Sequence, residues 1–212
     1  MFEACKSGYT KVVQLLLERC NSTESGLDIQ GEHGITALMV ACKHGHKDVV
    51  QILIDHSSSQ NIDLNHRNSL PRPRPFDDHP DDPFFKIFED PQKTAFIMAC
   101  ENGHKDVVQI LLNHPERNFE VNVNMDMNPT EIAFVLACGN GYTDVVQLLL
   151  DRSDISFAGD AWNAFTSACW NGQKEVIRLL LEHSKLKKEI ELHIRQDFAS
   201  VFIRACINED KD

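Results

Sequence analysis

Three side chains capable of chemistry stand within five residues of one another, Cys42, His44 and His46, in the stretch "ACKHGHKDVVQILI" (41–54). A thiolate and two imidazoles are ligands that zinc takes, and zinc asks for four of them converging tetrahedrally. The spacing argues against a metal corner. On a helix, positions i and i+2 point about 200° apart, and Gly45 breaks the helix between the two histidines. Nearly the same words return at 99–112 as "ACENGHKDVVQILL". The sister stretches read Cys5-Ser7-Tyr9, Cys100-Asn102-His104, Cys138-Asn140-Tyr142 and Cys169-Asn171-Gln173. The cysteine recurs and the histidines do not, so neither a metal nor a cofactor is expected here. His46 reads instead as a residue at the start of a helix. Elsewhere there is no G-x-S-x-G, no phosphate-binding glycine loop and no H-E-x-x-H. The carboxylates are scattered, which leaves no general acid–base pair, no expected enzyme activity and no small-molecule substrate.

The recurrence has a frame. Alanine–cysteine pairs begin at Ala4, Ala41, Ala99, Ala137, Ala168 and Ala205. Four residues past the alanine stand Gly8, Gly45, Gly103, Gly141 and Gly172, while the last copy has Glu209. Eight and nine past it come Val12-Val13, Val49-Val50, Val107-Val108, Val145-Val146 and Val176-Ile177, each followed by a run such as "LLL" or "ILI". Three before it is a large apolar residue, as in Leu38, Phe96, Phe134, Phe165 and Phe202. Apolar residues three before, at and one after the alanine mark one face of a first helix. The glycine fits the left-handed residue that ends it. The second helix is apolar over too wide a stripe to pack on one side only. Each unit therefore has to stack on its neighbours to bury that surface.

On these residues the chain resembles the ankyrin repeat family, most plainly in "GITALMVACKHGHKDVVQILI" (34–54). The resemblance implies an all-α repeat solenoid of stacked helix-turn-helix units joined by β-hairpin-like loops. Four full units and a partial one at each end span 1–212 as a single solenoid. The family tetrapeptide "TPLH" survives only as "TALM" (36–39) and "TAFI" (94–97), without its histidine. The usual threonine–histidine hydrogen bonding is therefore not expected. Successive alanines are 37, 58, 38, 31 and 37 residues apart, against about 33 in the family.

The 58-residue offset carries a proline-rich, acidic and aromatic insertion at about 69–91, "SLPRPRPFDDHPDDPFFKIF" over 69–88. Proline at this density forbids helix and central strand, and "PRPRP" favours an extended polyproline form. Three readings stand for it. It is a loop tolerated on the solenoid edge, a plug in which Phe84, Phe85 and Phe88 pack back on the stack, or a linear motif for another protein. Met1 falls inside the first helix of its unit, and the chain stops before the second helix of its last. A fragment of a longer array is the expected reading, with a short gene product as the alternative. The stretch "KLKKEIELHIRQ" (185–196) reads as a linker or an extended helix end before the last unit.

The formal net charge is −11. That disfavours nucleic acid and anionic membrane, which attract basic surfaces, and is compatible with a basic protein partner. No run of 18 apolar residues suggests a membrane span, and "MFEACKSGYT" is no secretory signal. Seven cysteines, six of them following an alanine, read as small buried residues. Adjacent helices about 8–10 Å apart keep such cysteines beyond disulfide reach. A reducing cytoplasmic or otherwise intracellular setting fits.

The resemblance places partner contacts in the concave groove, on the groove-facing residues of the first helices, and on the hairpin tips. The positions two and three past the alanine are Lys6-Ser7, Lys43-His44, Glu101-Asn102, Gly139-Asn140 and Trp170-Asn171. The loop position six before it holds Ile35, Lys93, Glu131, Trp162 and Ala199. The candidate protein-binding residues are accordingly Lys43, His44, Glu101, Asn102, Asn140, Trp162, Trp170 and Asn171. Both tryptophans of the chain fall in one unit, and tryptophan is strongly enriched at binding hot spots; the alternative is that longer loops cover them. The asparagines suit a partner's backbone or the helix end itself. The expected function is an intracellular protein-interaction module. The alternative is a regulatory or targeting segment of a larger enzyme, channel or ligase adaptor.

Overall fold

The computed structural model describes residues 1–20, 31, 34–57, 66–68, 93–114, 129–152 and 161–196. All regular elements among them are helices: α1 (Phe2–Lys6), α2 (Thr10–Cys20), α3 (Ala37–Lys43), α4 (Lys47–Ser57), α5 (Ala95–Glu101), α6 (Lys105–Asn113), α7 (Pro129–Gly139), α8 (Thr143–Leu150), α9 (Ala161–Trp170), α10 (Lys174–Glu182) and α11 (Ser184–Gln196). The contacts divide the chain into two compact units, Met1–Pro129 and Thr130–Asp212.

The local rules read from the sequence set the helix ends. Thr36 caps α3 by accepting from the Met39 N–H at 3.2 Å, and Thr94 caps α5 by accepting from the Ile97 N–H at 3.2 Å. Such a cap satisfies one of the four free N–H groups of a helix start. In the first case the Met39 sulfur accepts in return from the Thr36 N–H at 3.5 Å. A thioether thus takes part of the role that the missing family histidine would fill. The helices then turn through the repeated glycine, in the left-handed region at every described copy (φ between 66° at Gly172 and 78° at Gly141).

In the first unit the helices form two rows. α1 touches α3 and α3 touches α5, while α2 touches α4 and α4 touches α6. The core lies between the rows: Ala41, Cys42, Val49, Val50, Leu53, Ala99, Cys100, Val107, Val108 and Leu112 are buried. Full burial of one valine or leucine contributes about 1.5–3 kcal/mol, and a single helix pair has no second surface to bury them against. The first repeat shows the consequence. Val12 is 45% exposed and Leu15 60% exposed, while Val49 and Val107, the matching valines of the next two copies, are buried.

The residues that flank the insertion are pinned together. The Asn68 N–H donates to the Lys93 carbonyl at 3.3 Å, and the Lys93 N–H donates to Asn68 Oδ1 at 2.6 Å. Asn68 is buried. The chain therefore leaves and re-enters the stack at one point, so an addition there leaves the helix register alone. The insertion lies outside the described residues, as does the partial last unit at 197–212.

In the second unit α8 touches α10, and α9 touches α10. The stretch expected as a linker or extended helix end is a 13-residue helix of its own, α11, which packs on both α9 and α10. Its Leu186 and Ile190, four residues apart and so on one helix face, are buried. The dense charges of the segment mark its solvated face.

Candidate functional site

The apparent metal corner separates into three roles. Cys42 is buried in the core, and burial pushes its thiol far above the ordinary range. The buried Cys100 and Cys138 thiols are likewise raised, and Cys5 and Cys169 rise to about 11. All five are free, protonated at neutral pH and correspondingly poor nucleophiles. Among the described residues no three His, Cys, Asp or Glu side chains come together as a metal site.

His46 stands just before α4, as a start-of-helix residue should, but its side chain reaches across to the preceding repeat. Its Nε2 donates to the Lys6 carbonyl at 2.8 Å, and its ring lies over Gly8, where an added Cβ would come within 2.6 Å of Nδ1. His104 repeats this one unit later, with Nε2 donating to the Lys43 carbonyl at 3.0 Å and its ring over Gly45. Gln173 does the same in the second unit, Nε2 to the Gly139 carbonyl at 3.3 Å, over Gly141. The repeated glycine is therefore required twice. It takes a φ that costs other residues about 1–2 kcal/mol, and it leaves room for the clasp of the next repeat. The seam was missed in the sequence. Its signal was the column of tyrosine, histidine and glutamine five past the alanine, all planar or amide donors of similar reach.

His44 has the third role. It is exposed beside exposed Lys43, and its ring stacks on that of His46 at 6.3 Å between centroids and 21° between planes. Partial desolvation and then Lys43, His46, Lys6 and His104 hold its pKa below the usual histidine value. These contacts join Lys6, His46, His44, Lys43 and His104 into one continuous ridge along the ends of α1 and α3.

The other predicted positions divide. Glu101 is half-buried and pairs with Lys93 Nζ at 2.5 Å, so two predicted contact residues neutralise each other. The Asn102 amide donates to the Met98 carbonyl at 2.8 Å and the Asn171 amide to the Ser167 carbonyl at 2.9 Å. These amides satisfy the last turn of their own helices, the second of the two uses expected for them. Asn140 is exposed past the end of α7. Trp162, expected in a loop, lies in the first turn of α9. It stacks on Phe165 at 5.9 Å and on His193 of α11 at 5.3 Å. Trp170 is half-buried at the far end of α9, so the two tryptophans stand at opposite ends of one helix.

A family model described as ankyrin repeats (3 copies) matches residues 1–72, 79–156 and 118–193. The chain belongs to the ankyrin repeat family. The crystal structure of the human ASB11 ankyrin repeat domain is similar in fold, with a TM-score of 0.61 and 16% identity over 86% of this chain and 68% of that one. No curated protein matches the sequence significantly. Ankyrin repeats are in general protein–protein interaction modules and typically not catalysts. Among the described residues of this ankyrin chain, no helix is long and apolar enough to cross a membrane.

Proposed function

We propose that residues 1–212 form one continuous ankyrin array that acts as an intracellular protein-interaction module. Its partner lies against the ends of the first helices and the adjoining loops. One observation carries this reading. The alanine column is buried in every described copy, while Lys43, His44, Asn140 and Asn171 at the helix ends stay exposed and the position two past the alanine changes from lysine to glutamate, glycine and tryptophan along the copies. In the second unit Trp162 and Trp170 serve as aromatic anchors, both half-buried. Ring surface that is rigid and partly desolvated before binding loses little freedom in the complex.

The test is the affinity of the double variant Trp162→Ala, Trp170→Ala for a partner isolated by pull-down. Truncating two hot-spot residues is expected to weaken binding by about tenfold or more. Unchanged affinity with an intact circular dichroism spectrum would remove the anchors.

A further inference from the structure

The ridge of the first unit has a definite charge. Lys6, Lys43 and His44 are exposed in succession along it. Among the described residues neither lysine makes an ion pair, in contrast to Lys47 with Asp106 and Lys93 with Glu101. Among the described residues, the charged groups that lower the His44 pKa are Lys43, His46, Lys6 and His104. Glu101, the one acid at the matching position of the next repeat, is neutralised by Lys93.

Lysine in the last turn of a helix is favourable in its own right. Helix stability does not dictate the choice, however. The same position holds Glu101 on α5, Gly139 on α7 and Trp170 on α9, and those helices form without a cation there. The chain as a whole has 32 acidic against 21 basic residues. Screening limits exposed charges to about 8–10 Å at physiological salt. A ligand on the ridge therefore meets the local cations rather than the distant net charge.

We propose that this ridge binds an acidic segment of a protein partner, whose carboxylates pair with Lys6 and Lys43 and hydrogen-bond to His44. The inference rests on the groove reading above and gives its first unit a ligand chemistry. Packed helices stand about 8–10 Å apart, and a polyproline II chain advances about 3.1 Å per residue with three residues to the turn. Carboxylates three residues apart on such a peptide lie on one face and match the lysines of successive repeats.

The experiment is fluorescence anisotropy with the full chain and a labelled peptide bearing glutamate at every third position. Its glutamine and lysine counterparts serve as controls. Saturable binding of the glutamate peptide is expected, weakening as salt is raised. Two exposed pairs at about 0.5–1 kcal/mol each make the glutamine peptide roughly tenfold weaker. The variant Lys6→Glu, Lys43→Glu is expected to lose at least as much while keeping its helical spectrum, and Lys6→Ala, Lys43→Ala stands in if the reversal disturbs folding. Equal binding of the glutamine or lysine peptide overturns the proposal, as does a double variant that binds like the parent. A concentration-dependent dimer abolished by the same substitutions would assign the ridge to a second copy and overturn it too. If no acidic peptide binds, yet a pulled-down partner still loses affinity on Trp162→Ala, Trp170→Ala, the acidic ligand is wrong and the groove reading stands.

Discussion

In the first unit the seam between repeats is closed by imidazoles, His46 on the Lys6 carbonyl and His104 on the Lys43 carbonyl; in the second it is closed by an amide, Gln173 on the Gly139 carbonyl. The geometry is held and the chemistry is exchanged. The seam needs a donor that spans from one repeat to the carbonyl end of the last, over a glycine that leaves room for it. Histidine and glutamine both serve. The ridge beside the seam shows the opposite behaviour. In the first unit it carries Lys6, Lys43 and His44, and in the second Gly139, Asn140, Trp170 and Asn171. Lys6, Lys43 and His44 are exposed, so no packing holds them to one type, whereas Gly139 is held by Ser167, whose Oγ an added Cβ there would overlap. Gly172 completes the comparison, because no described atom lies within 4 Å of where its Cβ would be. It keeps the left-handed turn (φ 66°) with no clasp above it among the described residues.

That contrast is open to direct attack, first through the glycines. Gly45→Ala meets both the left-handed backbone and the His104 ring. A loss of about 2–4 kcal/mol is expected, combining backbone strain with overpacking. Gly172→Ala meets the backbone term alone and should lose about 1–2 kcal/mol. Urea denaturation of the two variants reads the difference, and equal losses would mean that the clasp exerts no steric demand.

Next comes the buried thiol. Cys42→Ser places a hydroxyl in a fully enclosed site and should cost about 1–3 kcal/mol if it finds no partner. In the parent, Cys42, Cys100 and Cys138 should resist a thiol reagent at pH 8 until denaturant is added, since burial keeps them protonated and covered. Fast native labelling of these three, mapped by mass spectrometry, would contradict that.

The clasp itself is worth less. His104→Ala should lose about 0.5–1.5 kcal/mol, the usual net value of one hydrogen bond. His104→Gln should lose under about 0.5 kcal/mol, because Gln173 already does this work in the second unit. If glutamine proves as costly as alanine, the exchange of chemistry between the two units is not a simple equivalence.

An effect of the same size as the clasp is expected at Lys93 and Glu101, whose side chains are 23% and 27% exposed. A double-mutant cycle with Lys93→Met and Glu101→Gln should return a coupling of about 1 kcal/mol, near the upper end for accessible pairs. A coupling indistinguishable from zero would return Glu101 to the set of residues available to a partner.

Much of the fold was legible because its causes are local. A glycine at a constant offset and a Val-Val or Val-Ile pair mark the turn and the buried face in five copies, and a threonine cap marks the helix start in two. The α11 helix was less legible. Lysines and glutamates outnumber Leu186 and Ile190, the two buried residues that dock it. The site divided in the same way. Exposure of Lys43 and His44 follows from their offset in the repeat, but the offset could not reveal that Glu101 pairs with Lys93, or that the Asn102 and Asn171 amides bond their own helices.

The sequence by itself determined the repeat, the helix pairs, the left-handed turns and the separation of scaffold from variable positions. These depend on backbone sterics and on which residues shun water, and both act over a few residues. Only the tertiary structure decided where His46 and His104 point, for their acceptors lie 40 and 61 residues away. It alone set Trp162 against His193 and joined Lys6, Lys43 and His44 into one cationic ridge. Those neighbours are created by stacking, and distance along the chain carries no record of which repeat ends will meet.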